Sequence, residues 1–276
     1  MIWLFDGRPG LRGGGNVVSG RSSGRDGRGG GVRVYTGNDV VDLVLARERE
    51  PLEPDWIRRH LTDAEMAGLP PSAPASSAAF WSLFAAKEAA CKAFAQAGVE
   101  TPGGAFRMLE VDLEQARVRH LASGDEAELL GSGGADGEYV HAVALIRREP
   151  AEEAESGEGG PGGKGETAEP ETVFSGVARL PDGADPSDYA RERLLASIAK
   201  RLAGRCADGL AIGTRDGIPA VLRHGAWQEW SVSLSHSGRL VAWSWAAVLP
   251  AADGTGDGAG GERESTFGAS EEMRPS

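Results

Sequence analysis

The sequence predicts an α+β fold of two similar halves, each a long helix packed on a small antiparallel sheet, together forming a pseudo-dimer. Two observations carry this. Residues 33–148 and 172–250 have ordinary globular composition, whereas the segments around and between them are poor in apolar residues. Each of the two stretches opens on a strand pattern, runs into a helix pattern, and closes on short alternating segments.

The flanking segments justify the boundaries. Residues 1–32 hold five Arg and two Asp among Gly and Ser, with no apolar period. They are expected to be a disordered extension, because too little apolar surface is available to offset chain entropy. Residues 149–171 carry eight Glu and one Lys among Gly and Pro and read as an acidic linker. Residues 251–276 read as a disordered tail. The net charge of −12 is therefore concentrated in tails and in the first half, while residues 172–250 hold nine basic against seven acidic residues. No Lys/Arg stripe of the kind nucleic acid requires is present. No apolar run approaches the ~20 residues of a membrane span. The N-terminus lacks a signal-peptide pattern, and Cys91 and Cys206 form no CxxC or Cys/His set. The expected setting is cytoplasmic, without membrane or nucleic-acid partners.

In the first half, Val32–Thr36 reads as a strand, and Asp39 to about Arg49 as a helix. Thr62 and Glu65 form a capping box ahead of a short helix over 61–69. An Ala-rich helix is expected from about Ser77 to Ala97, closed by Gly98. Strands are expected over 106–113, 116–121 and 139–147. The second half repeats the plan: a strand at 173–180, an amphipathic helix over 186–204, short strands near 210–212, 219–222 and 230–234, and a last strand at 240–248.

Three places combine side chains suited to chemistry. Glu88 and Lys92 stand four apart on the Ala-rich helix, hence on one face; a surface ion pair has the same spacing. Asp39, after Gly37 and Asn38, is placed as a hard-cation ligand near a strand end, or as a helix cap. Ser233, Ser235, His236 and Ser237 cluster before Gly238, with donors suited to phosphate oxygens, or to a polar turn. No GxSxG elbow accompanies them, and adjacent Ser and His on a strand face opposite ways, which argues against a hydrolase.

Taken together and in order, these segments resemble the 4′-phosphopantetheinyl transferase superfamily. GNDVVDL (37–43) resembles the GxDIVEI opening of the holo-acyl-carrier-protein synthases, HLTDAE (60–65) their FLTxxE, and FAAKEAACKA (84–93) their FAAKEAxxKA helix. DGIP (216–219) stands where the family usually has GKP, and VSLSHSGRLVAWSW (232–245) is similar to its closing SLSHxxxxAxA. The motif order is that of the small synthases. The size is that of the surfactin-type pseudo-dimers, which carry the halves in the opposite order. The resemblance thus implies a permuted pseudo-dimer, a monomer with one site between its halves.

It further implies transfer of 4′-phosphopantetheine from coenzyme A to a serine of an acyl or peptidyl carrier protein, with Mg²⁺ on Asp39 and Glu88. Lys92 is the expected ammonium beside the reacting phosphate, with Lys87 assisting. Glu88 or a metal-bound water is the expected base, and Ser235 and His236 hold coenzyme A phosphates. Two departures stand out. Val41 occupies the position of the surfactin-type third acid, and Ile218 replaces the GKP lysine, for which Arg215 or Arg239 is a substitute. These departures leave a second reading open, a non-catalytic member that binds coenzyme A or a partner.

Overall fold

A computed structural model describes residues 32–48, 53–69, 78–101, 106–133, 137–149, 171–202 and 208–248. The expected N-terminal extension and acidic linker lie, but for Val32, Glu149 and Glu171, outside these, and the expected C-terminal tail lies wholly outside.

The chain begins with β1 (Arg33–Asp42), followed by α1 (Leu43–Glu48), α2 (Pro54–His60), α3 (Asp63–Gly68) and the long α4 (Ala78–Gln96). A single 3-10 turn at Phe106–Met108 leads into β2 (Leu109–Asp112), β3 (Arg117–His120), β4 (Glu126–Gly133) and β5 (Tyr139–Arg148). These strands form an antiparallel sheet in the order β1-β5-β4-β3-β2. Then come β6 (Glu171–Arg179), α5 (Pro186–Arg201), β7 (Leu210–Arg215), β8 (Ile218–Arg223), β9 (Ala226–Trp227), β10 (Ser231–Ser237) and β11 (Leu240–Val248). They make two antiparallel sheets, β10-β11-β6 and β7-β8-β9. In both halves the opening strand pairs with the closing strand, which pairs in turn with the strand before it: β1-β5-β4 and β6-β11-β10.

Each half has its own core. Phe80, Phe84, Ala89 and Phe94 of α4 pack on Val41, Val111 and Ala144 of the first sheet. Leu194 and Ile198 of α5 pack on Val232, Val241 and Trp245 of the second. Alanines on the buried face of α4 let helix and sheet approach closely. A Cβ added at Gly37 would lie 2.0 Å from the Ala89 carbonyl oxygen, so only glycine fits there.

The halves meet along β1 and β10. Residues 36, 38 and 42 face residues 231, 233 and 237 at a constant separation of 195 positions, so the two strands run parallel. Serine hydroxyls replace strand carbonyls as acceptors. The Oγ atoms of Ser231, Ser233 and Ser237 accept from the amides of Thr36, Asn38 and Asp42 at 2.7, 3.0 and 3.3 Å. The outward amides of an edge strand are thereby satisfied across the interface. Gln96 adds a cross-link from α4, donating to the carbonyls of Thr36 and Val232 and accepting from Ser231 Oγ.

Two expectations are corrected here. The helix expected from Asp39 starts at Leu43, because β1 continues through Gly37–Asp42 while both of its edges have partners. The strand expected near 230–234 continues to Ser237, so the serine cluster forms the end of β10 itself. The capping box forms as read: Glu65 N donates to Thr62 Oγ1, and Thr62 N donates to Glu65 Oε2.

Candidate active site

β1 alternates between two neighbours. Even positions Thr36, Asn38 and Asp42 turn toward the second half, whereas Gly37, Asp39 and Val41 turn toward α4. The 3.6-residue period of α4 carries Glu88 and Lys92 to the same side, one turn apart. The Lys92 ammonium donates to Asp39 Oδ1 at 3.2 Å and to the Asn38 carbonyl at 2.8 Å. An ammonium has three donors, so a third N–H remains for a ligand. Lys92 is about a third exposed, which leaves that donor reachable.

The two acids sit in an environment that resists ionisation. Burial raises Asp39 above its usual value, although Lys92, the Val40 amide and the charge of His236 pull the other way. Glu88 is pushed up to about 7, mainly by burial, with Asp39 adding to it and Lys92 opposing it. Two buried carboxylates held toward their protonated forms, Glu88 raised further by Asp39, favour a nearby positive charge. Among the described residues, no group of three or more His, Cys, Asp and Glu side chains converges. Cys91, one turn from Lys87 and Glu88, is pushed up to about 12 by burial and the Glu88 charge, and its thiol is therefore inert.

From the second half, His236 comes within electrostatic reach of Asp39 and Lys92, while Ser235 lies on the opposite face of β10. The Ser235 hydroxyl is buried and has no hydrogen-bond partner, interrupting the serine series between Ser233 and Ser237. The amide opposite it, Val40 N, is taken by the Asp39 side chain. His236 is half-buried; burial and Lys92 lower its basicity, while Asp185 and Asp39 raise it. Its ring thus senses both acid and ammonium of the first half.

Other expected contacts fall elsewhere. Lys87 is corrected as a phosphate contact. Its ammonium is fully buried and meets Glu65 at 2.6 Å and the carbonyls of His60 and Phe106 at 2.9 Å, which uses all three donors. Arg215 is exposed at the end of β7, in the third sheet, with no contact to Asp39, Glu88, Lys92 or His236 among the described residues. Arg239 is also committed, forming a two-pronged pair with buried Asp42. That pair, like Gln96, escaped a reading by motif. The period-2 serines of β10 were its visible signal, since hydroxyls repeating on one strand face mark a polar contact rather than a core.

A family model described as the 4′-phosphopantetheinyl transferase superfamily matches residues 35–144. Over these residues the chain is similar to that superfamily. No curated protein and no solved structure matches the chain. The matched residues cover most of β1, all of α4 and the first part of β5, and with them Asp39, Glu88 and Lys92. The match ends before β10, so Ser235 and His236 lie outside the matched residues.

Proposed function

We propose that the protein transfers 4′-phosphopantetheine from coenzyme A to a serine hydroxyl of an acyl or peptidyl carrier protein, in a Mg²⁺-dependent reaction of the holo-acyl-carrier-protein synthase type. The observation that carries this is the convergence of Asp39 and Lys92, with Glu88 one turn away, inside the superfamily match.

The donor set fits magnesium. Mg²⁺ takes one or two carboxylates and completes its shell with water and phosphate oxygens; Asp39 and Glu88 would hold it. When bound, it would offset charge on the pyrophosphate. The chain's own groups do the rest. Lys92 directs its remaining N–H at the oxygen that acquires charge as the bond to 3′,5′-ADP breaks. Glu88, poised near neutrality, receives the proton of the carrier serine as its oxygen bonds to the phosphorus that carries pantetheine. Ser235, whose hydroxyl lacks a protein partner, and His236 donate to the phosphates of coenzyme A from the second half. The active unit is then one monomer, residues 33–148 and 172–250, with a single site between its halves.

The test is the intact mass of an apo carrier protein after incubation with the full chain, coenzyme A and Mg²⁺. The expected outcome is addition of one phosphopantetheine and release of 3′,5′-ADP. Coenzyme A binding without any mass gain would overturn the catalytic reading in favour of a binding protein.

A further inference from the structure

Asp42 is the only acid of β1 besides Asp39, and it lies on the opposite face of the strand. Its side chain is fully buried yet accepts five hydrogen bonds. Oδ1 accepts from the amides of Val44 and Leu45 at 3.1 and 3.3 Å, which caps α1, and from Arg239 Nη2 at 2.9 Å. Oδ2 accepts from Arg239 Nε at 2.8 Å and from the Arg239 amide at 3.2 Å. Arg239 therefore engages the carboxylate through both side chain and backbone.

Arg239 is the second of the two residues joining β10 to β11, since Ser237 pairs with Leu240. The first is Gly238, at φ +56, the left-handed geometry that a two-residue hairpin of this kind requires. A Cβ there would lie 2.3 Å from Leu45 Cδ1 and 3.0 Å from Asp42 Oδ2. The hairpin turn is thus seated against the start of α1, and the Asp42 amide also donates to Ser237 Oγ. Asp42 stands three positions after Asp39 along β1, and Arg239 three positions after His236.

We infer that Asp42 and Arg239 are a positioning pair that fixes where Ser235 and His236 stand relative to Asp39, Glu88 and Lys92. The reasons are geometric. Of the three serine contacts between β1 and β10, the one at Ser237 is the longest, and it lies nearest the turn. The rung at Ser235 is absent. From Ser233 onward, β10 is held to β1 by Ser237 and by the Asp42–Arg239 fork. A forked guanidinium–carboxylate pair fixes orientation as well as distance, which a single hydroxyl contact does not. Arg239 is then unavailable as a replacement for the lysine absent at Ile218. Its task is to set the turn.

The functional part of this inference rests on the proposed role of Ser235 and His236 in holding coenzyme A, so the test has two readouts. In the full chain, Asp42→Asn and Arg239→Gln are each expected to speed amide hydrogen exchange over residues 236–242 at least tenfold. The same variants should raise KM for coenzyme A about tenfold with kcat changed less than threefold. The double variant should be no worse than the more affected single variant, and Arg239→Lys should fall between wild type and Arg239→Gln. A general loss of stability would move the unfolding temperature without this split. If Asp42→Asn does not fold, Arg239→Gln, whose side chain is partly exposed, carries the test. Exchange unchanged over 236–242 overturns the pair as a clamp, whether or not the wild type transfers phosphopantetheine. Faster exchange with KM for coenzyme A within twofold of wild type overturns its positioning role.

Discussion

Lys87 and Lys92 sit five residues apart on α4, and each meets an acid, yet their surroundings differ in kind. Lys87 is sealed from solvent; Glu65 is almost as buried, and every donor of the ammonium is used. Glu65 in turn accepts from the amides of Thr62 and Val111, so one ion pair ties α3, β2 and the end of α2 to α4. Lys92 is partly exposed, keeps one donor free, and faces two acids that burial holds toward the protonated state. The contrast teaches that saturation separates structural charge from reactive charge. A buried ion with every bond satisfied holds the fold together, whereas a partly satisfied ion beside unsettled carboxylates is available to a ligand.

The sharpest way to break this comparison is Lys87→Ala. Leaving Glu65 buried without its partner should cost about 3–5 kcal/mol, read as a fall in denaturant midpoint with the slope unchanged. A loss below about 1 kcal/mol would mean that the pair is not the brace of α4. Lys92→Ala should shift the balance, with a smaller stability loss than Lys87→Ala, because Asp39 and Glu88 can take up protons, but with single-turnover transfer slowed about 10²–10³-fold, as for removal of a donor to developing negative charge. Because Lys92 lowers both Asp39 and Glu88, its loss should also displace the pH–rate profile upward. Comparable transfer rates for Lys92→Ala and wild type would remove Lys92 from the reaction.

A smaller effect follows from the acids. Glu88, pushed up to about 7, must release its proton before it ligates a cation. Half-saturation by Mg²⁺ should therefore fall as pH rises through neutrality, weakening up to about tenfold per unit below it. Half-saturation that is flat between pH 6 and 8 would contradict this. The smallest effect concerns His141 on β5, which burial, aided by Lys92, lowers to about 4. The unfolded chain takes up that proton near pH 6.5, the folded chain only near 4. Stability should thus rise with pH between these values, by about 1–2 kcal/mol from pH 5 to 7. His141→Gln should flatten that slope.

Much of this was legible because it is local. The capping box at Thr62 and Glu65, the Ala-rich α4 ended by Gly98, and the alternation of β5 are written in short windows. The i, i+4 spacing put Glu88 and Lys92 together. What escaped depends on partners far away. Gly37–Asp42 reads as a turn entering a helix, yet it is strand because β5 and the β10 serines hold both of its edges. The helix α2, begun by Pro54, and the strand β4 were not foreseen. Lys87 and Lys92 belong to one motif and look alike in sequence. Only the packing of His60, Glu65 and Phe106 around the first tells them apart.

The parallel seating of β10 on β1 also bears on how the chain comes to be folded. The outward amides of Thr36, Asn38 and Asp42 find their hydroxyl partners 195 residues later. As synthesis proceeds from the N-terminus, the first sheet and α4 have all their own strands well before Ser231 is made. Through that interval β1 presents an open edge, the feature most prone to pair with a neighbouring nascent chain. Such long-range closure also slows folding, because loop entropy is lost before the contact is gained. A chain truncated before β10 should accordingly associate through β1, and adding the second half is what closes that edge.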